Sequence, residues 1–165
     1  MDTEEKRLKI KHLALNGVML AIILALQMIN MPNIITGIIV NAVFIFVTIY
    51  AGINYSFILC ILSPLVGIVT GHVIAPMYPV LPVIALGNIA LVVLYNKFKS
   101  KKFWLRCVMP SLIKAIIIGG IGWLVINYFV PENLAYWVVL PVLGVQFFTA
   151  IPGVWLGEKL REKIK

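Results

Sequence analysis

Residues 12–96 contain no Asp, Glu, Lys or Arg. That tract decides most of what the chain can become. A membrane crossing needs roughly 20 apolar residues, so the tract holds about four. Two further apolar runs follow, 107–131, interrupted by Lys114 alone, and 133–157. The expectation is an all-α integral membrane protein, a six-transmembrane-helix bundle. Its spans lie near 13–30, 34–52, 56–76, 79–96, 108–130 and 135–157, in a single membrane domain over residues 1–165. With 62% hydrophobic and 12% charged residues, the chain has no room for a soluble domain, and any nucleotide chemistry must come from another chain. KRLKIKH ahead of an apolar core resembles a signal peptide. No small-x-small cleavage site follows, so the first span is expected to be retained.

The net charge of +8 does not point to nucleic acid, because its distribution follows topology. Lys6, Arg7, Lys9 and Lys11 precede span 1. Lys97, Lys99, Lys101, Lys102 and Arg106 lie between spans 4 and 5, and Lys159, Arg161, Lys163 and Lys165 end the chain. With six spans these three places share one side, and the opposite turns carry only Glu132. This positive-inside bias predicts cytoplasmic termini in the cell (plasma) membrane, bacterial by this reading. The basic NKFKSKKFWLR loop reads as contact with anionic lipid. Tyr136, Trp137 and Trp155 form an aromatic belt at the two ends of span 6.

Polar and helix-breaking residues interrupt the apolar spans, and each unpaired polar group in hydrocarbon costs several kcal/mol, of order 2 or more. They are expected to face other helices or a cavity. In span 2, Gly37, Asn41, Thr48 and Gly52 share one sector, with Thr36 beside it. In span 3, Cys60, Ser63, Gly67, Thr70 and Gly71 share a wedge, while His72 projects from roughly the opposite side, near the outer interface. Asn88 is the buried polar residue of span 4, behind Pro76, Pro79 and Pro82. Those prolines make the outer connection stiff and irregular, which favours a pocket in the outer half. Gln146 and Thr149 mark one face of span 6, and Gln27, Asn30 and Asn33 crowd the outer end of spans 1 and 2. Two accounts are open for Asn41: an interhelical hydrogen bond or contact with a ligand.

Lys114 is the one charge inside an apolar span. If the helix starts at Pro110, its stem can snorkel to the cytoplasmic interface, or the ammonium can pair with carbonyl groups. The competing reading is an anion-binding group, since an intramembrane ionisable residue is a functional-site hypothesis by default. Gly17, Ala21 and Ala25 lie four apart on span 1, a stripe that lets another helix approach, either within this protein or on a separate subunit. Cys60 and Cys107 have no metal spacing, and no acid/base pair or nucleophile constellation appears. Neither an enzyme nor a metal site is expected.

The basic N-terminus, the Gly17/Ala21/Ala25 stripe, TGIIVNA, GHVIAPMYPVLPVIALGN and the basic tail together resemble the substrate-binding (S) component of energy-coupling factor (ECF) transporters. The resemblance implies high-affinity binding and uptake of a vitamin or related micronutrient, with no chemistry on it. The pocket would be capped by the loop joining spans 1 and 2 and lined largely by spans 4 to 6. Span 1 would dock onto a membrane T component carrying two cytosolic ATPase subunits. ATP would be used by those partners, and no cofactor would be bound by this chain. The substrate-binding residues expected on this reading are Asn33, Thr36, Asn41, Ser63, His72, Asn88, Lys114 and Gln146. An anionic substrate is a hypothesis resting on Lys114. Two alternatives use the same composition. One is an MreD-like membrane scaffold subunit, which needs no polar pocket; the other is a small secondary transporter, against which the absence of membrane acids argues.

Overall fold

The computed structural model describes residues 3–29, 31–130 and 140–164. They form α1 (Thr3–Met28), α2 (Asn33–Tyr50), α3 (Ile53–Val69), a 3-10 segment (Ala75–Val80), α4 (Leu81–Phe98), α5 (Phe103–Phe129) and α6 (Leu140–Ile164), with no strand among them. Four helical units are long and apolar enough to cross a membrane: Thr3–Met28, Asn33–Tyr50, Ala75–Phe98 and Phe103–Phe129. The perimeter is apolar too. Val18, Ile61, Val69, Ile116, Leu124 and Phe148 all stand exposed, a surface that water would penalise and lipid would not.

Helix limits follow local chemistry. α1 begins well before the apolar run, because Glu4 and Glu5 occupy its first turn and Lys9 Nζ reaches Glu5 Oε1 at 2.6 Å, one turn away. Pro32 precedes α2, where its missing N–H costs nothing. A two-residue connection then joins α2 to α3 through Gly52, whose φ of 102° only glycine adopts without strain. α3 stops at Val69, short of the expected 76. The chain turns at Gly71 (φ 71°) and runs into the proline-bearing 3-10 segment. α5 starts at Phe103, so Pro110 lies inside it rather than at its beginning. Residues 131–135 of the VPENLA turn, Tyr136, Trp137 and Asn30 lie outside the described residues.

α2 is the central helix: every residue from Asn41 to Thr48 is buried. Its most extensive neighbour is α6, and it also packs on α3 and α4. Glycine permits the α2–α6 approach. A Cβ at Gly153 would lie 2.5 Å from Asn41 Cβ and 2.8 Å from the Ile38 carbonyl oxygen; one at Gly157 would lie 2.7 Å from the Ala42 carbonyl oxygen. α2 and α3 are tied by a polar group as well, since the Ser56 hydroxyl of α3 donates to the Phe44 carbonyl of α2 at 2.9 Å, beside the Thr48 hydroxyl, which donates to the same carbonyl at 2.7 Å from within α2. α1 is peripheral. It packs on α3 and α2 through a seam containing Asn16, Ile23 and Gln27.

Candidate ligand-binding cavity

Where α1 and α3 finish and α2, α4 and α6 begin, the helices surround a cavity of about 320 Å³. Its walls are mostly apolar, and Val40, Met77, Ile84 and Val145 contribute to them. All eight residues expected from sequence line it: Asn33, Thr36, Asn41 and Ser63, then His72, Asn88, Lys114 and Gln146. Asn33 and Ile74 are exposed and form part of the rim.

The polar residues differ in what they do. The Thr36 hydroxyl donates to the Met31 carbonyl at 3.3 Å and fixes the start of α2. Deeper in, Lys114 is only 2% exposed, and its Nζ donates to Asn41 Oδ1 at 2.6 Å. Asn41 Nδ2 in turn reaches Thr149 Oγ1 at 3.5 Å, and that hydroxyl donates to the Gln146 carbonyl at 3.3 Å. One network thus joins α5, α2 and α6 across the cavity floor. The snorkelling account of Lys114 fails here. The helix begins eleven residues earlier, roughly 16 Å along its axis at 1.5 Å per residue, and the ammonium turns inward to an amide instead. Gly87 lets α4 approach α5 beside it, since a Cβ there would sit 2.5 Å from Ile118 Cγ1, while Lys114 Cγ would lie at an ordinary 3.6 Å.

Three buried polar atoms at this cavity have no hydrogen-bond partner among the described residues: Gln27 Oε1, His72 Nδ1 and Asn88 Oδ1. Buried polar groups are nearly always paired, and Asn88 is only 3% exposed. Asn16 Oδ1 is a fourth such atom, set away from the cavity; its amide nitrogen donates to the Tyr55 carbonyl at 2.8 Å. Gln27 was legible only as an interfacial or rim residue. It anchors α1 to α3 by donating from Nε2 to the Ser63 carbonyl at 3.4 Å. His72 reaches the cavity by a route that helical phase does not predict. Because α3 has ended, the turn at Gly71 carries His72 to the side of Ser63 and Pro64. Among the described residues, α2 and the stretch from Ser63 to Met77 supply most of the lining, with Ile84, Asn88, Lys114, Val145 and Gln146 from α4, α5 and α6. The cause is the central position of α2, whose first half faces the cavity.

Below the network an apolar cluster fills the bundle. Ile45, Leu91, Ala150 and Val154 are fully buried and pack with Cys107 and Tyr95. On the far side lies a second recess of about 360 Å³, lined in part by Thr48, Tyr95, Arg106 and Glu158. From Asn41 to Thr48 the rise along α2 is roughly 10 Å, which sets the depth of the apolar layer. Sequence reasoning missed the cluster in this recess. Glu158 is 6% exposed and accepts from Tyr95 OH at 2.7 Å and from Arg106 at 2.6 Å (Nε) and 3.0 Å (Nη2). Arg106 had been grouped with the basic loop, and no local signal pairs it with a residue 52 positions away.

The Gly17/Ala21/Ala25 stripe is exposed along its whole length, on the side of α1 away from the Asn16–Ile23–Gln27 seam. Among the described residues, nothing within 4 Å would meet a Cβ added at Gly17. No known protein family, curated protein or solved structure matches the chain.

Proposed function

We propose that this chain binds a small organic micronutrient and serves in its uptake as the S component of an ECF-type importer. On this reading it crosses the membrane six times with both termini cytoplasmic, and the cavity opens outward. The observation that carries the reading is the cavity itself. Eight polar residues scattered over the sequence from Asn33 to Gln146 meet around one space, and three polar atoms at its wall are unpaired among the described residues, two of them on His72 and Asn88 and the third on Gln27. A scaffold subunit would use those residues to join helix to helix and leave no void. Asn41 does join helices; Gln27 and Asn88 keep an unpaired oxygen.

The apolar layer beneath the cavity bears on mechanism. Ile45, Leu91, Ala150 and Val154 stand between a ligand seated in the cavity and the second recess. Delivery then requires motion of the whole subunit or of its helices, driven by a partner, rather than conduction through a standing pore. The exposed small-residue face of α1 is suited to a close-packed partner helix, and that partner is the membrane T component with its two ATPases.

Two measurements test this. The detergent-purified protein, denatured and assayed by mass spectrometry, should release a small organic molecule; release of lipid alone would favour the scaffold. Ala21→Trp should abolish co-purification of a T component and its ATPases while leaving the released molecule in place, because the side chain lies on the outer face of α1. Unchanged association would remove the stripe from the docking surface.

A further inference from the structure

We infer that the cavity takes a small carboxylic acid carrying its own N–H or O–H donors, with the carboxylate on Lys114 and the donors turned to Gln27 and Asn88. The inference rests on the binding reading above and names the substrate class of that site.

The first support is charge. An ammonium has three donors, and among the described residues Lys114 has one acceptor, Asn41 Oδ1. That amide orients the ammonium without neutralising it. The described residues lining the cavity include no Asp or Glu, and no ion pair among the described residues involves Lys114. Enclosing a cation in an apolar medium is costly unless a counter-charge reaches it. The cavity that Lys114 borders is where such a group can sit.

The second support is the pair of unpaired acceptors. Gln27 Oε1 and Asn88 Oδ1 require donors, which a halide, nitrate or sulfate ion does not carry. A ligand satisfying Lys114 and both of these oxygens has an acceptor-only group in one part and N–H or O–H groups elsewhere.

The third is size and lining. A volume of about 320 Å³ holds about ten water-sized groups at roughly 30 Å³ each. That is far more than chloride or bicarbonate occupies, and it lies at the small end of organic-ligand pockets. Met77, Ile84 and Val145 offer the body of such a molecule an apolar wall.

The test is calorimetry on the full chain in neutral-lipid nanodiscs, titrated with vitamin-sized monocarboxylic acids and with the primary amide of each. At least one acid should bind, its amide about 10- to 100-fold more weakly, the range a charge-assisted hydrogen bond gives. Lys114→Gln should lower the acid to the affinity of its amide. If that variant does not fold, the acid-to-amide ratio of the unaltered protein decides alone. Equal affinities for acid and amide overturn the inference while the binding reading stands, as does release of a neutral molecule from the denatured protein. If nothing in the panel binds and nothing organic is released, both fall. Phosphatidylglycerol added to the nanodiscs should leave the acid's affinity unchanged. Competitive loss would assign the site to a lipid headgroup and overturn the inference.

Discussion

Gly153→Leu is expected to give no folded, monodisperse protein, whereas Gly120→Ala should be silent. Both glycines lie within helices, and the difference is what surrounds them. At Gly120 nothing stands within 4 Å of an added Cβ. At Gly153 the added carbon meets Asn41 Cβ at 2.5 Å, the Ile38 carbonyl at 2.8 Å and the Ala42 nitrogen at 3.3 Å. Two of those three are backbone atoms of α2, and a helix backbone cannot rotate aside as a side chain can. Overpacking costs about 1–3 kcal/mol where neighbours give way; here the whole α2–α6 contact must open, so a loss above about 3 kcal/mol is expected. The same separation would pull Thr149 from Asn41 and dismantle the cavity floor. Gly157→Ala, against the Ala42 carbonyl at 2.7 Å, should act in the same direction with a smaller loss. Size-exclusion profiles and thermal scans in detergent read all three. A well-folded Gly153→Leu protein would mean that α2 and α6 do not pack as described.

The cavity was legible because the sequence around it is so apolar. In a charge-free tract, Asn41, Ser63 and Asn88 have few places to go but inward, and they line the cavity, whereas Thr48 of the same sector lines the second recess. The small-residue stripe of α1 was legible for the related reason that spacing by four fixes a face. What failed depended on where helices begin and end. Pro110 suggested a helix start, since proline is favoured in a first turn. α5 instead runs through it from Phe103, which places Lys114 deep in the bundle and removes its access to the interface. His72 was phased on a helix that had already ended at Val69. The pairing of Arg106 with Glu158 could not be read at all. Each sits in a cluster of charges that topology alone explains, and only the fold brings α5 and α6 together at that end.

That pairing carries the second large effect. Arg106→Leu is expected to destabilise the protein by about 3–5 kcal/mol, the cost of leaving a buried charge without its partner. Glu158→Gln should cost only about 1–2 kcal/mol, because the amide oxygen can still accept from Tyr95 and Arg106. The asymmetry follows from exposure: the Glu158 side chain is 8% accessible and that of Arg106 27%. Stripped of its partner, Arg106 can turn to water or lipid phosphate, whereas the carboxylate keeps only the Tyr95 hydroxyl. Replacing both charges, as Arg106→Leu with Glu158→Leu, should recover most of the loss, since a buried ion pair is often no better than apolar side chains of similar volume. A double-mutant cycle from denaturant unfolding in mixed micelles separates these terms. If Arg106→Leu costs less than about 1 kcal/mol, as an exposed pair would, the recess admits enough water to solvate Glu158 and the ion pair is not structural. If the larger loss is found, the consequence reaches the apolar layer above. Tyr95, Arg106 and Glu158 join α4, α5 and α6 directly beneath Leu91, Cys107 and Val154. Breaking that junction would loosen the barrier that keeps the two recesses apart.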